Sequence, residues 1–278
     1  MSVAFVPEPP PSPAAGRSRP LAVVTGASSG IGEKMALALA TRHFDLLIVA
    51  RRQDRLDALQ QLITSTCGVE VETLGADLAT PAGLLAVQQV LAGRAVDLLV
   101  NNAGAGWIGA FAEAPLERQL EIIDVNCRTL IGLTHAVLPG MLQQRRGRIV
   151  QVASVAGFMP GPMSSVYYAS KAFVVSHSEA LRHELRGTNV TVTLVCPGPV
   201  ATEFQRSSGV TGSMGGAAMM SDVDVAEDAV AAAMAGRFLV VPGFANRLLV
   251  ALTAILPRRL TAALVDRLQK KRLAAPRA

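Results

Sequence analysis

Short apolar runs alternate with longer amphipathic stretches along most of the chain, beginning at Leu21. Runs such as Leu46–Val49 and Leu98–Val100 are continuously apolar, which is typical of strands buried on both faces. The strands predicted in this way are Leu21–Thr25, Leu46–Ala50, Val69–Leu74, Val96–Val100, Arg148–Val152, Val190–Val195 and Phe238–Val241. Helical patterns lie between them, at about 30–42, 52–66, 80–92, 115–144, 165–187 and 222–235. This alternation predicts an α/β fold: a Rossmann-type doubly wound parallel sheet of about seven strands, with helices on both faces, in a single domain.

Two segments flank the predicted domain, which covers residues 20–243. Residues 1–19 are rich in proline and read as a disordered or polyproline-like arm. Residues 244–278 form a basic, amphipathic extension that resembles two helices broken at Pro257. Within the domain, residues 203–221 are rich in glycine, serine and methionine, and fit either a mobile lid or an ordinary surface loop.

Composition excludes several classes of protein. Half of the 278 residues are hydrophobic and 17% are charged, so the chain is not intrinsically disordered. Three cysteines without a CxxC pair and four histidines without ligand spacing predict neither a disulfide framework nor a metal site. There is no apolar run of the roughly 20 residues that a membrane span needs, and the first residues lack the pattern of a secretory signal. We therefore expect a cytoplasmic protein.

The formal net charge of +5 comes from one end of the chain. Residues 258–278 carry seven basic side chains and one acidic one, whereas the other 257 residues carry 19 basic and 20 acidic side chains. The body is therefore close to neutral, and no nucleic-acid partner is predicted. The basic tail leaves three alternatives open: contact with an anionic membrane surface at its cytoplasmic face, packing on the body or a second subunit, or neither.

A glycine-rich turn follows the first predicted strand and opens a helix. It reads Thr25-Gly26-Ala27-Ser28-Ser29-Gly30-Ile31-Gly32. Glycines allow close approach of the backbone to a pyrophosphate, and the helix N-terminus offers free N–H groups and the positive end of a dipole. A strand before the turn and a helix after it are the context that this motif requires, so we expect a dinucleotide to bind here.

Two arginines, Arg51 and Arg52, follow the second predicted strand, where NAD sites carry an acidic residue. A guanidinium suits the 2′-phosphate of NADP(H), which it binds through charge-assisted hydrogen bonds. The alternative is that both arginines are solvated residues at the start of a helix. The pattern favours NADP(H), with Arg51 as the stronger candidate.

Tyr167 and Lys171 are four residues apart in a predicted helix and therefore share a face. A neighbouring ammonium favours the phenolate, so we expect Lys171 to lower the tyrosine pKa from its usual value near ~10. Such a tyrosine can donate a proton to a carbonyl that is being reduced, or accept one from an alcohol. An isolated YxxxK pattern is also common on surface helices. Tyr168 fits a packing or substrate-wall residue.

These motifs occur in one order with Asn101-Asn102-Ala103-Gly104, Ser154 and Pro197-Gly198. Over about residues 20–242 the chain thereby resembles a short-chain dehydrogenase/reductase of the compact, single-domain type. The resemblance implies an NADP(H)-dependent enzyme that interconverts a carbonyl and an alcohol, with Tyr167 as acid/base. It also implies that Lys171 lowers the pKa of Tyr167 and holds the nicotinamide ribose, that Ser154 binds the substrate oxygen, and that Asn126 holds a relay water.

The resemblance further implies a set of residues around the cofactor. The predicted cofactor-binding residues are Gly26, Ser28, Ser29, Gly30, Ile31, Gly32, Arg51, Arg52, Asp77, Leu78, Asn102, Ala103, Gly104, Tyr167, Lys171, Pro197, Gly198, Val200 and Thr202. Asp77 and Leu78 would meet the adenine, and Val200 and Thr202 the nicotinamide amide.

The predicted substrate wall is apolar, which favours a small hydrophobic carbonyl or alcohol as the substrate. Its candidate residues are Trp107, Phe111, Phe158, Met159, Met163, Phe204, Met214, Met219 and Met220; the alternative is that they simply pack the domain, which we expect of at least half of them. Two other functions stay open: a lipid or acyl-chain ketoreductase at a membrane surface, and a non-catalytic NADP-binding sensor or scaffold. We expect a homo-oligomer, either a dimer or a tetramer.

Overall fold

A computed structural model describes residues 19–204 and 219–273 of the chain. Seven parallel strands form one sheet in the order β3-β2-β1-β4-β5-β6-β7. Their bounds are β1 Leu21–Thr25, β2 Asp45–Ala50, β3 Val71–Gly75, β4 Leu98–Asn101, β5 Gly147–Val152, β6 Val190–Val195 and β7 Leu239–Val240. The order reverses between β1 and β4, which confirms the predicted doubly wound α/β architecture.

Helices cover both faces of this sheet. The α-helices are α1 Gly30–Ala40, α2 Gln53–Cys67, α3 Pro81–Leu91, α4 Leu116–Ile123, α5 Leu130–Gln143, α6 Ser165–Glu184, α7 Asp222–Met234, α8 Phe244–Ile255 and α9 Arg258–Leu273. Successive residues of β1 point to opposite faces. Ala22 and Val24 pack with α1, α2 and α7, whereas Leu21 and Val23 pack with α3, α5 and α6. This burial on both faces explains why the strand sequences are continuously apolar.

One predicted helix is interrupted. The segment 115–144 is α4 and α5, joined by a π-helical stretch, Asp124–Thr129. The side chain of Asn126 in this stretch is buried and bonds to the backbone of Ala105 in both directions. A π-bulge inserts an extra residue into a helical turn, often at a functional site, and helical periodicity does not reveal it.

The tail folds as two helices, α8 and α9, which end and begin on either side of Pro257. Thr261, Val265 and Gln269 form a buried stripe on α9, so this part of the tail packs on the body. No helix within residues 19–204 and 219–273 combines the length and the apolar character that crossing a membrane requires. The proline-rich arm up to residue 18, and most of the predicted lid, including Met214, lie outside the described residues.

Candidate active site

The carboxyl ends of the central strands open into a cleft of about 840 Å³. Loops after β1, β4, β5 and β6 form its floor, at the point where the strand order reverses. Ligands of open α/β sheets bind in this crevice. The predicted site residues line it, except for Gly32, which packs against Gly26 and Asn102, and Asn126, which lies behind the loop after β4.

The glycines of the turn occupy positions that other residues would not fit. Gly26 and Gly30 have positive φ angles of 67° and 58°, which disfavour other residues. A β-carbon on Gly32 would lie 2.3 Å from the amide nitrogen of Asn102 and 2.4 Å from the carbonyl oxygen of Gly26. The free N–H groups at the start of α1 follow directly, so the turn has the geometry of an anion cradle.

Asn102 and Ala103 fix this turn to the end of β4. The Asn102 amide donates to the Thr25 carbonyl at 2.9 Å and to the Gly26 carbonyl at 3.3 Å. The Thr25 hydroxyl accepts from the backbone N–H groups of both Asn102 and Ala103 at 3.0 Å. These bonds hold the glycine turn open as a rigid unit.

The two predicted arginines have different environments. Arg51 is solvent-exposed over 65% of its side chain and lies 3.4 Å from Glu121. Arg52 instead reaches back to the glycine turn and donates to the hydroxyls of Ser28 and Ser29, each at 3.0 Å. Arg52 thus carries its positive charge onto the loop proposed to bind the cofactor.

Arg55 and the carboxylate of Glu203 lie beside Arg52. Glu203 accepts from Arg52 at 2.8 Å and from Arg55 at 2.8 and 2.9 Å. The two guanidinium groups keep the pKa of Glu203 low, at about 2, so the carboxylate is charged at any working pH. The sequence motifs include neither Arg55 nor Glu203, although Arg55 stands one helical turn after Arg52.

Ser154, Tyr167 and Lys171 meet at the other end of the cleft. Tyr167 and Lys171 lie in α6, and Ser154 caps the short 3-10 helix after β5, accepting from the Ala156 N–H at 3.1 Å. The Ser154 side chain acts on the Tyr167 hydroxyl and favours its charged form. The Lys171 ammonium donates to the Val152 carbonyl at 2.9 Å and lies 5.9 Å from the centre of the Tyr167 ring.

Burial dominates the proton affinities of this group. Desolvation raises the pKa of Tyr167 to about 12, although the Ser154 hydrogen bond opposes the rise. Desolvation also lowers the pKa of Lys171 to about 8. The expected depression of the tyrosine pKa by Lys171 is not seen in this structure: burial raises this pKa instead, and the ammonium is bonded to the Val152 carbonyl.

The Asn126 side chain connects the π-helical stretch to the cleft. Its amide nitrogen donates to the Ala105 carbonyl at 3.0 Å and to the Ser170 hydroxyl at 2.9 Å. Its oxygen accepts from the Ala105 N–H at 2.9 Å. Both N–H donors are therefore used within the protein, and the side chain positions the loop after β4 beside Gly104 and Lys171.

The remaining predicted residues line the cleft at two places, after β3 and after β6. Asp77 and Leu78 follow β3, where the Asp77 carboxylate accepts from the Ala79 N–H at 3.1 Å. Pro197, Gly198, Val200 and Thr202 follow β6 and line the same cleft. A β-carbon on Gly30 would lie 2.8 Å from the Thr202 methyl group, so the segment after β6 closes over the glycine turn.

The structure confirms part of the predicted substrate wall. Trp107, Met159 and Phe204 line the cleft, but Phe111, Phe158, Met163, Met219 and Met220 do not. Phe111 is exposed to solvent, whereas Phe158 and Met220 pack against core clusters. The side chains that take their place are leucines of the tail: Leu249 and Leu252 in α8, Leu256 directly after it, and Leu264 and Leu268 in α9.

Polar side chains join the tail to this wall. Gln269 in α9 lies 3.4 Å from the hydroxyl of Tyr168, the residue after the candidate acid/base. Asn246 in α8 packs against Gly198, where a β-carbon would lie 2.4 Å from its side-chain oxygen. The amphipathic pattern of the tail was visible in the sequence, but its position over the cleft was not.

Comparison with known proteins agrees with this geometry. The short chain dehydrogenase family matches residues 20–211. The very-long-chain 3-oxoacyl-CoA reductase of Pyrenophora tritici-repentis is 37% identical over 66% of this chain and 56% of its own length. The chain thus spans little more than half the length of this curated relative.

Two solved structures cover more of the chain. A short-chain dehydrogenase from Sphingobium yanoikuyae in complex with NADPH is 36% identical, with a TM-score of 0.78, over 85% of this chain and 93% of that one. The bulky-bulky ketone specific alcohol dehydrogenase of Comamonas testosteroni is 26% identical, with a TM-score of 0.73, over 93% and 96%. With the glycine turn, the Ser154–Tyr167–Lys171 group and a family match over most of its length, the chain belongs to the short-chain dehydrogenase family of oxidoreductases.

Proposed function

We propose that this enzyme reduces the carbonyl group of a large apolar substrate with NADPH. The observation that carries the proposal is that one cleft joins three parts: the glycine turn with its arginines, the Ser154–Tyr167–Lys171 group, and a leucine wall from α8 and α9. NADP(H) is the cofactor, in agreement with the predicted arginine pattern and with the family.

In this proposal, four residues of the chain have separate roles in the reduction. The bound nicotinamide supplies the hydride. The Ser154 hydroxyl orients the substrate oxygen and stabilises the negative charge that develops on it, and Tyr167 donates the proton that completes the alcohol. Lys171 contributes a buried positive charge beside Tyr167, and Asn126 fixes the loop that carries Gly104. Because burial raises the pKa of Tyr167 to about 12, Tyr167 holds its proton at neutral pH, which is the state that a proton donor needs.

The leucine wall supports a long or bulky apolar substrate. Leu249 and Leu252 lie in α8, Leu256 directly follows this helix, and Leu264 and Leu268 lie in α9. Both the ketone of the Comamonas enzyme and the acyl chain of the Pyrenophora reductase are of this kind by name. We propose a 3-oxoacyl thioester, or a ketone of comparable apolar bulk, as the substrate class.

A series of 3-oxoacyl thioesters of increasing chain length tests this class. Each buried methylene contributes about 0.8 kcal/mol, so kcat/KM for NADPH oxidation is expected to rise by about fourfold per methylene until the wall is covered. Leu264→Ser should flatten this dependence without changing the rate with the shortest substrate, whereas Leu142→Ser, on the distant helix α5, should leave it intact. Equal kcat/KM values along the series would contradict the assignment.

A second candidate places the same reductase at an anionic membrane surface. Phe244 and Ile255 do not line the cleft and are 80% and 81% exposed. Helix α9 adds six basic side chains against one acidic residue, Asp266. Exposed apolar side chains next to basic ones suit the boundary between lipid headgroups and acyl chains, where a lipid substrate would be close to the cleft.

A further inference from the structure

We propose that Glu203 is a built-in competitor of the cofactor's 2′-phosphate and thereby sets the affinity of this enzyme for NADP(H). The inference rests on the proposed NADP(H) site. It adds a specificity-determining residue that the sequence motifs do not include.

The carboxylate of Glu203 has the contacts that a phosphate would need. Its oxygens accept hydrogen bonds from Arg52 at 2.8 Å and from Arg55 at 2.8 and 2.9 Å. Arg52 also donates to Ser28 and Ser29, so the anion lies beside the glycine turn. Guanidinium groups bind carboxylates and phosphates through the same fork of N–H donors, and the two anions therefore compete for one pair of cations.

Charge strengthens the competition at every working pH. The arginines hold the pKa of Glu203 at about 2, so its negative charge does not change between acidic and alkaline buffers. A 2′-phosphate carries about −1.5 to −2 charges at neutral pH and can outcompete a single carboxylate. The side chains of Glu203, Arg52 and Arg55 remain about 40% exposed, so the exchange does not require a buried ion to be uncovered.

The position of Glu203 links the two ends of the cleft. The next residue, Phe204, packs against Tyr167 with the ring centres 5.8 Å apart. A change at the arginines can therefore also reach the candidate acid/base, and the experiment must separate a direct effect on phosphate binding from an effect at the nicotinamide end.

The test measures binding by calorimetry on the full chain and on Glu203→Gln. Removing one half-exposed competing charge is expected to tighten NADPH binding about three- to tenfold and to leave NADH binding unchanged. The affinity for adenosine 2′,5′-bisphosphate should rise by the same factor as that for NADPH, because this compound carries the 2′-phosphate but no nicotinamide. The affinity for 5′-AMP, which lacks the 2′-phosphate, should not change. Glu227→Gln is the matched control, since Glu227 pairs with Arg42 at 2.8 Å and lines no part of the cleft.

The possible results separate the two proposals. If the wild-type chain does not prefer NADPH to NADH, the proposed NADP(H) site itself fails. If it prefers NADPH, but Glu203→Gln leaves the affinity for NADPH unchanged, weakens it, or changes NADPH and NADH alike, the role of Glu203 is overturned and the site stands. A gain for NADPH without a gain for adenosine 2′,5′-bisphosphate would also overturn it, because the effect would then arise through Phe204.

Discussion

At the scale of single residues, burial acts on Tyr167 and Lys171 in opposite directions. Removing a group from water disfavours its charged form, so the pKa of the tyrosine rises to about 12 and that of the lysine falls to about 8. The spacing of the pair could be predicted from the sequence. Which effect controls the two pKa values could not, because it depends on burial and on the bond from Lys171 to Val152.

These two pKa values predict the pH dependence of reduction. Lys171 is charged below about pH 8 and neutral above it, while Tyr167 keeps its proton across the whole working range. The turnover number with saturating NADPH and ketone is therefore expected to be level up to about pH 8 and to fall above it. A turnover number that stays level well into alkaline pH would contradict a role for the Lys171 charge.

At the scale of elements, the glycine turn and the tail helices differ in how far the sequence revealed them. The turn is local: its residues, its strand and its helix are adjacent in the chain, and Gly26 and Gly30 have the positive φ angles that glycine suits. The wall of α8 and α9 is non-local. The spacing of its leucines indicated amphipathic helices, but it did not indicate which surface of the domain these helices pack on.

The tight packing of the turn predicts the effect of Gly32→Ala. Its new β-carbon would meet the Asn102 amide at 2.3 Å and the Gly26 carbonyl at 2.4 Å, and overpacking of this kind typically costs 1–3 kcal/mol. We expect a lower thermal midpoint and weaker NADPH binding.

Gly140→Ala provides the control for this substitution. Gly140 lies in α5, and a β-carbon there meets no other atom within 4 Å. Alanine should therefore stabilise the helix by about 0.5–1 kcal/mol without touching the cleft. Equal effects of the two substitutions would show that the turn is not closely packed around Gly32.

At the scale of the whole molecule, the charge is divided between a near-neutral body and a basic tail. The sequence showed this division, and also the order of strands and helices that defines the doubly wound sheet. It did not show that half-exposed leucines of the tail line the cleft, while Phe244 and Ile255 lie outside it and are 80% and 81% exposed. Which tail side chains line the cleft depends on how α8 and α9 pack on the body, and the sequence pattern does not contain this information.

The outward side of the tail predicts binding to anionic vesicles. In a flotation assay at low salt, the full chain should rise with vesicles of anionic lipid and stay behind with neutral ones, and added salt should release it. The double variant Phe244→Ser and Ile255→Ser should lose this binding but keep its affinity for NADPH. If the wild-type chain does not float, the proposed membrane contact is overturned. If the double variant instead converts an oligomer to a monomer, the exposed side contacts a second copy of the chain.

The central claim is that Tyr167 donates the proton in an NADPH-dependent carbonyl reduction, and the most direct test compares the wild type with Tyr167→Phe. NADPH oxidation with a saturating apolar ketone and NADPH binding by calorimetry are measured on both proteins. Loss of a positioned proton donor typically costs about 10²- to 10⁴-fold in rate. The account predicts a loss of turnover of at least this order with an almost unchanged dissociation constant for NADPH. A Tyr167→Phe enzyme that turns over as fast as the wild type would contradict it.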